Sequence, residues 1–191
     1  MDNILGYLSI ILSIVAYMWY LRSLFYGETK PHAFSRFVRS IMTGTAFFAQ
    51  RTQTQEIGTR VLGMSAIMCL FIAVYGWWRY RVVIKKIDWL YLFCALLGLW
   101  AWYITKTPLR SVIIILITDL LAFIPTFRKV RSDPYNESIW VYGLSALKFV
   151  FALWSFESFS LIVWLYPMYL IAANTTFVIY TLWRRWWANK I

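Results

Sequence analysis

The chain has 191 residues, 61% of them apolar and 20% aromatic, with only 14% charged. An average soluble domain is nearer half apolar and a quarter charged, so a soluble globular fold is excluded as the default; several apolar runs approach the ~20 residues that a bilayer-crossing helix needs. The net charge of +11 does not indicate nucleic acid, because the basic residues fall between apolar runs instead of forming one face.

The first run, residues 4–25, lacks the basic leader and small-residue cleavage site of a signal peptide. Asp2 precedes it and Arg22 follows it, so an uncleaved first helix with its amino end outside is expected. Further spans are expected at 35–51, 61–79, 89–105, 109–127, 138–156 and 159–183. The predicted class is therefore an all-α membrane protein with seven transmembrane helices. The second span is the weakest. It lies between Arg36 and Arg51 and contains Arg39, which is expected to snorkel to the interface; a six-span reading with this segment re-entrant is the alternative.

Seven spans put about 14 of the 19 basic residues on one side, among them Arg22, Arg79, Arg81, Arg131 and Arg184, and leave Arg51, Arg60, Lys106 and Arg110 opposite. That bias makes the first side cytoplasmic, with the carboxyl end inside. Trp77, Trp78, Trp89, Trp140, Trp183, Trp186 and Trp187 fall near the cytoplasmic ends, and Trp100, Trp102 and Trp154 near the outer ends, as interfacial aromatic belts do.

An internal repeat runs through the chain at an offset of about 103–106 residues. "AYMWYLRSLFYGETKPHAFSR" from Ala16 aligns with "AFIPTFRKVRSDPYNESI" from Ala122, matching Ala16, Tyr17 and Arg22 to Ala122, Phe123 and Arg128. "YGWWR" at Tyr75 aligns with "YTLWR" at Tyr180. Three spans per copy and one linking span give a parallel 3+1+3 design: a first unit over 1–80, a linker helix over 81–106 and a second unit over 107–191.

With Pro125 in "DLLAFIPTFRK", the "SDPYNES" loop and the repeated "KPHAFS", the chain resembles the PQ-loop superfamily, which includes SWEET sugar transporters, cystinosin-like exporters and KDEL receptors. The run also looks like a bacterial branch of that superfamily. The resemblance implies transport by rocking of two three-helix units, with prolines hinging the first helix of each. It departs from the pattern twice. Pro125–Thr126 stands where the family has Pro–Gln, and Trp19–Tyr20 occupies the corresponding place in the first unit. In the superfamily an asparagine on the last span of a unit often lines the substrate site, and Asn174 stands at a comparable position.

Three polar side chains reach mid-depth. Counted from the cytoplasmic edge at ~1.5 Å per residue, Asp119, Lys148 and Asn174 each lie ~13–15 Å deep in a core of ~30 Å. A charged group facing lipid there costs ~2.5–3.5 kcal/mol on insertion scales, so all three are expected to point inward. Their repeat partners are Ser13, Thr45 and Cys69, so polarity is concentrated in the second unit. Two readings follow. In one, Asp119, Lys148 and Asn174, walled by Trp154 and Tyr169, bind a small molecule, and Asp119 is the group that would couple protons. In the other, Asp119 and Lys148 form a buried ion pair holding spans five and six together. Pro125 and Pro167 are the hinge candidates; Pro125 is as readily a static kink, and Pro167 more readily a static kink than a hinge. Gln50 is placed at the outer interface.

No catalytic set is present: there is no G-x-S-x-G, H-E-x-x-H or phosphate-binding glycine loop. One histidine and two cysteines without a CxxC spacing indicate neither a metal site nor a disulfide framework. The sequence therefore predicts no enzyme and no cofactor. The expected partners are the lipid bilayer and an unidentified small solute, with a homo-oligomer allowed and no nucleic acid. The expected location is a bacterial plasma (inner) membrane. The expected function is small-molecule transport; the alternatives are a non-transporting ligand receptor and a structural subunit of a membrane complex.

Overall fold

A computed structural model describes residues 2–27, 33–79, 86–105, 107–132, 134–135, 139–157 and 159–190. Lys30, Pro31, His32, Glu137 and Ser138, which carry part of the loop motifs, lie outside the described residues. For Pro125, Arg128 and Lys129 only the backbone is described.

Seven helices are present among the described residues: α1 (Asp2–Phe25), α2 (Ala33–Arg51), α3 (Thr59–Arg79), α4 (Lys86–Thr105), α5 (Pro108–Ser132), α6 (Ile139–Trp154) and α7 (Leu161–Ala188). They match the expected spans to within a few residues, and α2 is a continuous helix. Three of them, α1, α3 and α7, are long and apolar enough to cross a membrane.

Local chemistry sets the ends. Gly27 holds φ at +75° just past α1, and its N–H donates to the Leu24 carbonyl at 3.2 Å while Tyr26 N–H donates to Arg22 at 3.0 Å. A left-handed residue that closes a helix in this way is nearly always glycine. Pro108 opens α5, where its missing N–H is not needed and its fixed φ already suits the helix.

The outward surface is rich in large apolar side chains. On α1 the buried stripe is Ser9, Ser13, Ala16, Tyr20 and Leu24, whereas Ile4, Tyr7, Ile11, Val15 and Met18 are exposed. The inward face of this helix is thus the more polar one, the reverse of a soluble amphipathic helix. Large apolar side chains are likewise exposed on α3 (Ile67, Phe71, Val74, Trp78), α5 (Ile117, Leu120, Ile124) and α7 (Met168, Ile179, Leu182). Water would penalise so extensive an apolar coat; hydrocarbon does not.

α2 is the exception in composition and the most enclosed in position. It packs on α3, α5, α4 and α7, so its polar residues meet protein. Ser40, Thr43 and Thr45 turn their hydroxyls onto the carbonyls of Phe37, Arg39 and Ile41, which lets them enter the interior without a partner on another helix. Elsewhere α1 packs on α6 and α3, α6 on α7, α5 on α7 and α4 on α5. One apolar core joins α2, α3, α4, α5, α6 and α7 through residues such as Met42, Leu62, Ala95, Ile115, Phe149 and Tyr166.

Candidate functional site

The site is best built outward from Asp119, which is 1% exposed on α5. Its partner is Arg39 of α2. Arg39 Nη2 donates to both carboxylate oxygens at 3.1 Å, and Arg39 Nε donates to Oδ1 at 3.2 Å. The guanidinium also lies over the Phe123 ring, 5.3 Å from its centre. This forked geometry is the strongest form of ion pair and matches the planar donor array of arginine. Two expectations are corrected here. Arg39 does not snorkel to an interface, and Asp119 is not the ion-pair partner of Lys148. Helix rise fixes depth, but the partner is chosen by azimuth: α5 turns Asp119 toward α2, its neighbour, at a level Arg39 also reaches.

Lys148 on α6 is 2% exposed. Its ammonium donates to Ser65 Oγ at 3.0 Å and to Tyr17 Oη at 3.3 Å. It also sits 4.5 Å and 4.9 Å from the centres of the Tyr17 and Phe149 rings. These partners are neutral. They replace much of the lost hydration through hydrogen bonds and ring faces but leave the charge in place.

A cavity of about 80 Å³ adjoins this ammonium. Ala16, Tyr17 and Tyr20 of α1, Arg36, Arg39 and Thr43 of α2, and Ser65, Cys69 and Ile72 of α3 form one side. Val141, Ser145, Lys148 and Phe149 of α6, with Leu170 and Asn174 of α7, form the other. Arg36 donates to Tyr20 Oη at 3.1 Å and lies over the same ring at 4.9 Å. Asn174 donates one N–H to the Leu170 carbonyl at 2.6 Å. The lining runs from mid-helix toward the end where α1 and α3 finish and α2 and α6 begin.

Of the five residues expected at the site, Lys148 and Asn174 meet at this cavity. Asp119 stands apart from the lining, bound to Arg39. Tyr169 is close enough to Asp119 to sense its charge and stacks on Tyr166 at 6.0 Å. Trp154 is 63% exposed at the end of α6, and no contact ties it to the cavity. Arg36, Arg39, Tyr17 and Ser65 were missed. Arg36 and Arg39 were placed on the cytoplasmic flank, although each stands on the polar stripe of an otherwise unconvincing span, the one signal that could have marked them.

The far end of the bundle is closely packed. A Cβ on Gly58 would meet Ser155 Oγ and the Ala152 carbonyl, the latter at 2.6 Å, and one on Gly6 would meet Ile57 at 2.8 Å. Pro167 lies inside α7 and has no N–H to give to the carbonyl four residues back, that of Val163. Gln50 Nε2 supplies the missing donor at 2.6 Å. Gln50 is 1% exposed, so it is an interior residue and not the interfacial marker expected. The turn of α7 that holds Pro167 is thereby tied to α2. Pro125 lies within the run of α5, with its side chain outside the described residues.

A second, shallower depression of about 850 Å³ is lined by Thr52, Gln53, Leu96, Leu99, Trp100, Tyr103 and Pro108. Its walls are mostly exposed apolar side chains and bring no charged groups together. No cluster of three metal-ligating side chains occurs among the described residues. Comparison with known proteins gives no match: no family model, curated protein or solved structure is similar to the chain at a significant level.

Proposed function

We propose that the protein is a membrane transporter of a small solute, built as two parallel three-helix units joined by α4, with the cavity between the units as its solute site. The observation that carries this reading is the cavity itself. Residues of α1, α2 and α3 face residues of α6 and α7 across it, and a polar site at mid-membrane between repeats is the usual arrangement in secondary transporters. Helix neighbours support the repeat. α3 touches α1 and α2, as α7 touches α5 and α6, and the units meet through α1 on α6 and α2 on α5. Exchanging the two units leaves that pattern unchanged. The basic loops put the end toward which the lining runs in the cytoplasm, so the conformation is inward-facing, with the outer end packed around Gly58.

The experiment is solute entry into liposomes holding the purified full-length chain, screened with labelled small acids, amino acids and sugars. At least one solute should enter faster than into empty liposomes, and Asn174→Leu should abolish its entry. A protein that binds a solute in detergent yet moves none would sink transport. It would favour the second reading, a non-transporting receptor, which the proline-free sequence of α1 already supports: the first unit lacks the hinge of the second. A reporter fused to the carboxyl end should read cytoplasmic; an external reading breaks the orientation.

A further inference from the structure

The charges around the cavity do not balance. Arg36, Arg39 and Lys148 all line it. Arg39 is neutralised by Asp119 through the forked contact. Among the described residues no carboxylate meets Arg36 or Lys148; their polar partners are the hydroxyls of Tyr20, Tyr17 and Ser65. Two positive charges therefore face one small space with no negative charge among the described residues to offset them.

The free valences are also of one kind. An ammonium has three N–H donors and no acceptor, and Lys148 uses two of them. The Arg36 guanidinium has donors beyond the one given to Tyr20. Asn174 has a second N–H beyond the one given to Leu170. What complements such a set is an acceptor-only, negatively charged group, and a carboxylate is that group. A cation is repelled by the same arrangement. Volume narrows the choice further, since about 80 Å³ is roughly half of the ~150 Å³ cavity that holds a benzene ring, which favours a small solute over a sugar ring. The remaining wall is apolar, formed by Ala16, Ile72, Phe149 and Leu170, which suits a short carbon chain better than a bare inorganic ion.

We propose that the cavity is an anion site that takes the carboxylate of a small organic acid at Lys148, with Arg36 and Asn174 in the same lining. This rests on the reading of the cavity as the solute site and names the class of solute.

The test is equilibrium binding to the purified full-length protein in detergent, by calorimetry and by shift in melting temperature. The probes are sodium acetate, lactate, phosphate and chloride at matched ionic strength, with lactamide as the uncharged shape of lactate. Acetate or lactate should bind, and lactamide should bind at least tenfold more weakly. Lys148→Met should lose at least tenfold in affinity and Lys148→Arg should keep it; Arg36→Gln, at a half-buried position, gives the same comparison if Lys148→Met does not fold. Equal binding of lactate and lactamide overturns the proposal. So does preference for phosphate or chloride over both acids, or no binding of either acid. Because binding is read without flux, an acid that binds but never crosses removes the transport reading alone. Transport of a neutral or cationic solute that lactate does not inhibit removes this inference alone.

Discussion

Gln50 and Pro167 allow a prediction whose sign depends on background. In the wild type, Gln50→Leu does two opposing things. It leaves the Val163 carbonyl, freed by Pro167, with no donor inside the bundle, at a cost of about 1–3 kcal/mol. It also removes the Gln50 side-chain oxygen, a buried acceptor with no hydrogen-bond partner, which returns roughly 1 kcal/mol. The net should be a loss of up to about 2 kcal/mol. Pro167→Ala changes the first effect and not the second, because an alanine N–H can reach the Val163 carbonyl and close the α7 ladder. In that background Gln50→Leu should be neutral or stabilising. Unfolding of the four proteins of this cycle in mixed micelles, followed by far-ultraviolet circular dichroism, gives the coupling directly. The same loss on Gln50→Leu with and without Pro167 would refute the reasoning, since the amide would then not be replacing the proline's missing donor.

Three further outcomes can be measured by the same unfolding assay. Asp119→Asn should lower stability by about 2–4 kcal/mol, below the full cost of a wholly buried pair because the Arg39 side chain is 26% exposed; the double variant Arg39→Met with Asp119→Met should return to within about 1 kcal/mol of wild type, and a double variant as unstable as the single one would contradict the pairing. Lys148→Met should be neutral or stabilising, since it removes a buried charge with no carboxylate partner, and its effect should add to that of Asp119→Asn within about 0.5 kcal/mol; strong non-additivity would revive a direct Asp119–Lys148 interaction. Gly58→Ala should cost about 1–3 kcal/mol through overpacking against the Ala152 carbonyl and Ser155, and a neutral result would mean that this end of the bundle yields more readily than its contacts suggest.

Depth was legible in the sequence and direction was not. Hydropathy and basic loops located all seven helices to within a few residues, because each helix must bring enough apolar surface to its surroundings regardless of what it packs against. Counting along α5, α6 and α7 put Asp119, Lys148 and Asn174 at one level. Each residue also turns ~100° around its axis, and the neighbour met at that angle depends on how seven helices are arranged. So Lys148 and Asn174 came together as expected, while Asp119 faced away to α2. Arg39 was misread for a related reason. A span rich in polar residues looks marginal if it is imagined in lipid, whereas α2 is wrapped by α3, α4, α5 and α7. The Gln50 contact could have been found: a proline inside a helix frees the carbonyl four residues earlier, and a buried amide on another span near the same end is a natural donor for it.

α2 gathers these contacts onto one helix. From it Arg36 reaches Tyr20 on α1, Arg39 reaches Asp119 on α5 and Gln50 reaches the Val163 carbonyl on α7. Each of the three is at a different level, from the cavity to the end packed around Gly58. Two of them, to α5 and α7, cross to the other half of the chain. In the two-unit reading, any rocking of one unit against the other must carry the Arg39–Asp119 pair and the Gln50–Val163 bond with it or break them. Breaking the pair strands a charge in the interior, whereas breaking the Gln50 bond strands one carbonyl. The Gln50 contact is therefore the cheaper one to open, and it lies toward the end packed around Gly58. In that reading, a motion that parts α7 from α2 on the Gly58 side of the Arg39–Asp119 pair, and keeps that pair as its pivot, is the path of least cost through these contacts.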